Sequence, residues 1–296
     1  MRILLTGGSG FLGSALAVRW AADGHDLTLL LRPASSLKRL EGLHGHGRIV
    51  RCESDAAITD AVRESAPEVI VHTACAYGRR GESTLQTFDA NTRLGLLLVG
   101  AALEAGGQCH INVINTGTVL APYVNVYALS KHQFSDWGAL LARHEPTRLR
   151  FVNVRLQHMY GPGDDETKFT THVVRACLRN EPRLALTAGE QRRDFVHVDD
   201  VVAAYETIRA NLDAFDASCV IDVGSGEAPT VRQFVEMAHA LAGSTTALDF
   251  GAVPYRPDEA MHCQADVAAL ARLGWRPRYG LRDGLLKTIE TESHRP

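Results

Sequence analysis

The chain has 296 residues, 45% hydrophobic and 22% charged, which suits one large domain or two interlocked ones and argues against disorder. A formal net charge of −3 and a pI near 6.5 give no basic field for nucleic acid, and no Lys/Arg run with interleaved aromatics is present. No segment approaches the roughly 20 apolar residues of a membrane helix; the longest candidate, Leu94 to Leu103, is broken by Gly95 and Gly100.

Met1 to Thr6 reads as a strand rather than an export signal, which points to a cytoplasmic protein. Ile3 to Thr6, Leu27 to Leu31, Arg48 to Arg51, Val69 to His72, Ile111 to Ile114 and Leu149 to Val154 are short apolar runs of the kind buried on both faces of a parallel sheet. Between them Leu12 to Asp23, Ile58 to Ser65, Ser83 to Ala105 and Val126 to His144 repeat apolar residues at helical spacing. Alternating strands and helices predict a doubly wound α/β fold of the Rossmann type. After Arg155 the rhythm changes: a loop at Tyr160 to Asp165, a helix near Thr170 to Leu178, then shorter elements. We expect residues 1–155 to bind a dinucleotide, with a return strand near 218–223, and residues 156–296 to form mainly a smaller substrate-binding lobe. Asp199 and Asp200 are expected to cap a helix from Val201 to Arg209, and Leu273 to Pro277 to form a packing turn.

Six cysteines, Cys52, Cys75, Cys109, Cys177, Cys219 and Cys263, lie far apart without C-x-x-C pairing, and are expected to be reduced, mostly buried thiols. His44-Gly45-His46 has no third ligand beside it and reads as a surface loop. No metal is expected.

Thr6-Gly7-Gly8-Ser9-Gly10-Phe11-Leu12-Gly13 joins the first strand to the first helix. Gly7 permits the turn, Gly10 admits a pyrophosphate close to the backbone, Gly13 lets helix and strand pack, and the helix N-terminus offers N–H donors. Gly7, Gly10, Phe11, Leu12 and Gly13 are therefore assigned to a dinucleotide. The acidic ribose ligand common after the second strand is missing; Arg32 stands there, where a guanidinium can pair with a 2′-phosphate or can simply be a solvated surface group. NADP(H) is expected, with NAD(H) as the alternative.

Tyr127 and Lys131 are four residues apart on one face of the helix from Val126. A nearby ammonium stabilises phenolate, so Tyr127 can exchange a proton with a substrate hydroxyl or carbonyl near neutral pH. Asn115-Thr116-Gly117-Thr118 follows a strand end, where the ligand crevice of such a sheet lies. Thr116 is the first choice for a hydroxyl that holds the reacting oxygen, with Thr118 in reserve, and either can be a turn residue.

These motifs, with V-I-V-H-T-A at 69–74, Asn91, Y-G-P-G-D at 160–164 and R-D-F-V-H-V-D-D at 193–200, resemble the NAD-dependent epimerase/dehydratase branch of extended short-chain dehydrogenases. The resemblance implies a triad of Thr116, Tyr127 and Lys131, with Tyr127 and Lys131 also against the cofactor. It further implies that Lys131 holds the nicotinamide ribose and that Arg193 meets a substrate diphosphate. Arg256 can clamp the same group with its forked donors, as the corresponding arginines do in the family; the other reading for each is an ion pair with a neighbour such as Asp194 or Asp258. Lys168 and Phe169 are expected to line the substrate pocket, and His158 either touches substrate or is structural.

Two departures narrow the activity. Only eleven positions separate Thr116 from Tyr127, fewer than in UDP-galactose 4-epimerases and sugar 4,6-dehydratases. The acidic pair that dehydratases carry after the threonine is replaced by Gly117 and Thr118. The segments 157–169 and 189–195 are most similar to CDP-abequose and CDP-paratose synthases, which reduce 4-keto-deoxysugar nucleotides with NADPH. The expected activity is thus a nucleotide-sugar 4-reductase, and a homodimer is expected. The alternatives are an NAD-dependent 4-epimerase and a non-catalytic dinucleotide-binding sensor.

Overall fold

In chain order, the computed structural model, which describes residues 1–105, 109–257 and 259–294, begins with β1 (Arg2–Thr6), α1 (Phe11–Ala22), β2 (Asp26–Leu31), β3 (Arg48–Arg51), α2 (Asp55–Ser65) and β4 (Val69–His72). It continues with α3 (Thr84–Phe88), a π-helical turn (Asp89–Arg93), α4 (Leu94–Ala105), β5 (Ile111–Thr116), α5 (Val126–His144) and β6 (Leu149–Leu156). Then come β7 (His158–Tyr160), α6 (Phe169–Leu178), β8 (Arg183–Leu186), β9 (Arg192–Arg193), β10 (Phe195–His197), α7 (Val198–Ala210) and β11 (Ser218–Val223). The chain ends with α8 (Val231–Leu241), β12 (Ala247–Phe250), β13 (His262–Cys263), α9 (Ala268–Arg272) and α10 (Leu281–Ser293). The residues fall into two units, Met1–Arg155 with Ile208–Ile221, and Leu156–Thr207 with Asp222–Pro296.

The first unit is built on a sheet of seven strands in the order β11-β6-β5-β4-β1-β2-β3, the doubly wound α/β class expected. Strands β3, β2, β1, β4, β5 and β6 run parallel. Strand order reverses between β1 and β4, and a ligand crevice opens outside the carboxyl ends of strands at such a reversal. Leu4, Leu30, Ile70 and Val113 from the strands bury against Val62, Leu98, Val99 and Phe134 from the helices. The passage from Ser83 to Ala105 is helical but not one α-helix. Its middle widens into the π-helical turn, which buries Asn91 and Thr92, and such turns often sit at functional sites.

The second unit pairs β10 with β7, β12 with β8 and β13 with β9, all parallel. Tyr160, Val174, Phe195, Phe234, Leu285 and Ile289 lie in its core. Asp199 and Asp200 are not caps: both lie inside the first turn of α7. The buried Asp200 carboxylate accepts the backbone N–H groups of Arg278 (2.9 Å) and Tyr279 (3.0 Å), while Asp199 pairs with Lys287 at 2.5 Å. They tie the last segment of the chain to α7. Trp275 is buried in that segment and donates its indole N–H to the Asp200 carbonyl.

The cysteines are all free, but only Cys177 is buried; Cys109 is exposed and the other four are half-buried. His44 and His46 are exposed. Among the described residues no helix is long and apolar enough to cross a membrane, and no three His, Cys, Asp or Glu side chains are grouped to hold a metal.

Candidate active site

The glycine turn after β1 is closed by the Gly10 N–H donating to the Gly7 carbonyl at 2.8 Å. Gly7 has φ +70, and a Cβ there would lie 2.6 Å from the Ala74 nitrogen. A Cβ on Gly13 would lie 2.2 Å from the Gly7 oxygen, so α1 packs on the turn at a distance no other residue allows. Phe11 and Leu12 open α1, whose N-cap is Gly10 with no side-chain cap. By contrast α2, α3 and α5 are capped by Ser54, Ser83 and Asn125. The first N–H groups of α1 therefore meet no competing side-chain acceptor at the N-cap, which fits a dinucleotide pyrophosphate.

Arg32 follows β2 directly and is exposed. The Arg51 guanidinium donates to the carbonyls of Arg32 (3.3 Å) and Pro33, holding the chain reversal on which Arg32 sits. Glu82 accepts the Arg80 backbone N–H at 2.8 Å. Its carboxyl is lowered below the ordinary range first by that hydrogen bond and, more weakly, by the charges of Arg80 and Arg32.

Tyr127 and Lys131 lie in the first two turns of α5, which Asn125 starts by accepting the Ala128 N–H at 2.8 Å. Lys131 is 2% exposed, and its Nζ finds no hydrogen-bond partner among the described residues. Burial pushes its pKa down; the weaker, opposing influence is the Cys75 thiol. The half-buried Tyr127 ring stacks on Tyr77 at 4.8 Å, and Arg79 covers Tyr77. Thr116 is the last residue of β5 and half-buried. Thr118 is buried, and its hydroxyl accepts the Leu120 N–H at 3.2 Å, a turn-forming contact.

Beneath α5 runs a polar row that the sequence did not announce. Parallel register aligns Thr6, His72, Asn115 and Asn153 across β1, β4, β5 and β6, so all four side chains project from one face of the sheet. Thr6 Oγ1 and His72 Nδ1 share a 2.8 Å hydrogen bond, and Asn115 Nδ2 donates to Asn153 Oδ1 at 2.8 Å. Phe134 of α5 meets the His72 ring edge-on at 5.3 Å. Burial, then the Lys131 charge, lowers the His72 pKa to about 3, so the ring is neutral.

A second contact set fixes the helix. Asn91 accepts the Ala76 N–H (2.8 Å), donates to the Ala76 carbonyl (2.9 Å) and donates to Ser130 Oγ (2.9 Å). Thr92 donates to the Ser130 carbonyl at 2.8 Å. The π-helical turn thus locks α5, one residue from Lys131, to the segment that carries Cys75 and Tyr77. Asn91 and His72 were visible as motif residues, but their partners were not.

In the second unit Arg193 is buried on β9 and forms an ion pair with Glu259, not with Asp194. Asp194 instead accepts Ser225 N (2.6 Å), Ser225 Oγ (2.7 Å), Gly226 N (3.0 Å) and Ala265 N (3.1 Å), a structural hub. Asp258 lies outside the described residues, and Arg256 is exposed three positions before Glu259. Lys168 is 3.1 Å from Asp164, and Phe169, at the start of α6, sits 6.2 Å from the Phe234 ring. His158 packs on Phe195, with Nδ1 unpartnered among the described residues. Burial and the Arg193 charge lower its pKa to about 4.

Residues 3–224 match the NAD dependent epimerase/dehydratase family. The chain belongs to this family. It is 28% identical over 297 residues to the CDP-abequose synthase of Salmonella typhimurium, covering 97% of both chains. It is 29% identical over 314 residues to the UDP-glucose 4-epimerase of Mycolicibacterium smegmatis, covering 98% of both. The UDP-glucose 4-epimerase of Thermus thermophilus, solved in complex with NAD, has the same fold, with a TM-score of 0.83, 23% identity and 99% of both chains covered. The family consists of NAD(P)-dependent enzymes of nucleotide sugars, and the buried ammonium and glycine turn described above fit such a cofactor.

Proposed function

We propose that this protein is an NADPH-dependent nucleotide-sugar 4-reductase, acting in the cytoplasm on a 4-keto-deoxyhexose nucleotide. The observation that carries the chemistry is Lys131, a buried ammonium without a hydrogen-bond partner among the described residues, four positions from Tyr127. Reduction is favoured over epimerisation by Arg32 at the end of β2, where a ribose-binding carboxylate would otherwise stand. The full-length likeness to a CDP-abequose synthase points the same way.

When bound, the dinucleotide supplies the hydride that turns the C4 ketone into an alcohol. The glycine turn and the N-terminus of α1 hold its pyrophosphate, Arg32 its 2′-phosphate and Lys131 its nicotinamide ribose. Thr116 hydrogen-bonds the sugar O4, Tyr127 gives that oxygen its proton, and the Lys131 charge stabilises the phenolate left behind. Arg193 and Arg256 bind the sugar nucleotide's diphosphate, and Lys168 and Phe169 line its pocket.

The second reading, a 4-epimerase with retained NAD, is favoured by the M. smegmatis relative. Fluorescence titration separates the two: NADPH should bind tighter than NADH by about 1–3 kcal/mol, with Arg32→Ala removing most of the difference. Equal or tighter NADH binding, or slowly exchanging NAD in the purified protein, would favour the epimerase. A homodimer is part of the reading, supported by an apolar hollow of about 390 Å³ on the first unit, lined by Leu85, Phe88, Val126 and Leu129. Leu85 is 66% exposed there.

A further inference from the structure

The Arg193 guanidinium has little access to water, its side chain being 8% exposed. Its strand is held from both sides. Arg193 N donates to the Pro229 carbonyl at 3.1 Å, Arg192 N to Met261 at 2.9 Å and Asp194 N to Cys263 at 3.0 Å. The guanidinium donates from Nη1 to the Arg192 carbonyl at 2.8 Å and from Nη2 to Glu259 Oε1. Among the described residues Glu259 is therefore the carboxylate that compensates this buried charge.

The two partners differ in their freedom to leave. Glu259 is 23% exposed, on a turn closed by its N–H donating to the Arg256 carbonyl at 3.2 Å, and Arg256, Pro257, Ala260 and Met261 around it are exposed. Rotation about its side-chain bonds takes the carboxylate into water, whereas the guanidinium is fixed by β9. A buried guanidinium stripped of its counter-ion is strongly disfavoured, so Glu259 leaves only when another anion takes its place. Nearby His158 is neutral above about pH 4 and adds no second positive charge.

We propose that Glu259 is a displaceable internal counter-ion that determines which ligands Arg193 accepts. It occupies the guanidinium in the ligand-free protein and yields to a diphosphate, whose oxygens match the forked donors with more charge than a carboxylate carries. A ligand carboxylate exchanges like for like and gains little, and an uncharged sugar cannot compete. This inference rests on the reading of Arg193 as a diphosphate ligand.

Glu259→Gln keeps the side chain's size and removes its charge. Calorimetry with CDP, inorganic pyrophosphate and cytidine on the full-length wild type, Glu259→Gln, Arg193→Gln and the double variant tests the exchange. Glu259→Gln should bind CDP and pyrophosphate about tenfold tighter, near the low end of what one charge-assisted hydrogen bond contributes, with cytidine unchanged. The gain should vanish in the Arg193→Gln background. Glu259→Asp, which withdraws the carboxylate by one methylene, should shift affinity the same way by a smaller factor, and it provides the readout should Glu259→Gln not fold. If Arg193→Gln leaves CDP affinity unchanged, Arg193 is not the diphosphate ligand. If Arg193→Gln weakens CDP binding while Glu259→Gln and Glu259→Asp fail to tighten it, Arg193 keeps its role and the displacement is refuted.

Discussion

Lys131→Met should make the ligand-free protein more stable while impairing it as an enzyme. Methionine approximates the length of the lysine stem and carries no charge, and Lys131 Nζ has no hydrogen-bond partner among the described residues to lose. Burial of an unpaired polar group costs about 1–3 kcal/mol, and in a chain of this size each kcal/mol moves Tm by roughly 1.5–2 °C. The rise should thus be a few degrees at neutral pH. Its pH dependence follows from the pKa, which is depressed in the folded state below the ordinary 10.5. The unfolded chain then binds the proton more tightly, so the wild type loses stability as pH falls from about 10.5 through the folded pKa, and the penalty is complete below it. The variant's advantage should be greatest at neutral pH and shrink as pH climbs toward 10. Thermal unfolding of both ligand-free proteins at several pH values measures this, and calorimetry should show dinucleotide affinity weaker by about 1.5–3 kcal/mol. A variant no more stable than wild type at pH 7, or one that binds dinucleotide equally well, would refute the reasoning.

Tyr127→Phe keeps the ring stacked 4.8 Å from Tyr77 but removes the proton donor, so steady-state turnover should fall about 10²–10⁴-fold with dinucleotide binding intact; rates within a few-fold of wild type would take Tyr127 out of the mechanism. Gly13→Ala places a Cβ 2.2 Å from the Gly7 oxygen and should abolish measurable dinucleotide binding in a fluorescence titration, whereas near-normal affinity would mean the turn yields. Asp194→Asn turns an amide NH2 either toward the N–H and hydroxyl of Ser225 or toward the N–H groups of Gly226 and Ala265, depending on its flip, and should lower stability by roughly 1–6 kcal/mol in a denaturant melt. A loss under 1 kcal/mol would show that the hub is dispensable.

The fold was legible wherever a strand is long enough and buried enough to leave an apolar run. Strands β1 to β6 appear in the sequence within a residue or two of their observed limits: β1, β2, β4, β5 and β6 because they are buried on both faces of the sheet, and the largely exposed edge strand β3 through its Ile49–Val50 pair. The two- and three-residue strands β7, β9, β10 and β13 carry no period that a pattern can register, and their partners lie tens of residues away. The π-helical turn escaped for a related reason: apolar spacing continues through it, while its cause is the burial of Asn91 and Thr92 against Ser130, 39 and 38 positions distant. Asp199 and Asp200 imitate a cap, since acidic residues before an apolar run are the usual signal. Arg278 and Tyr279 claim Asp200 instead. The glycine turn and the Tyr127–Lys131 spacing could be read directly because their geometry is local. Glu259 opposite Arg193 is a contact across 66 positions, and no local signal announces it.

The two histidines nearest the buried cations share one physical logic. Described buried polar atoms without a partner include His72 Nε2, Asn115 Oδ1 and Lys131 Nζ in the first unit, and Gln157 Oε1 and His158 Nδ1 in the second. Each costs about 1–3 kcal/mol of desolvation, and a sequence shaped by stability alone would replace them with apolar groups. In the first unit the unpartnered atoms belong to β4, β5 and α5, near the carboxyl ends of the strands, where ligands bind in folds of this class. His72 is held neutral down to about pH 3 by burial and then by Lys131; His158 is held neutral down to about pH 4 by burial and then by Arg193. A protonated imidazole at either place would add a second positive charge and alter the attraction for a phosphate with every small change in acidity. Keeping both rings neutral leaves the charge to Lys131 in one unit and Arg193 in the other. Neither histidine should therefore contribute a titration to dinucleotide or diphosphate binding above about pH 5, and a binding transition near pH 6.5 that His72→Gln or His158→Gln removes would contradict this.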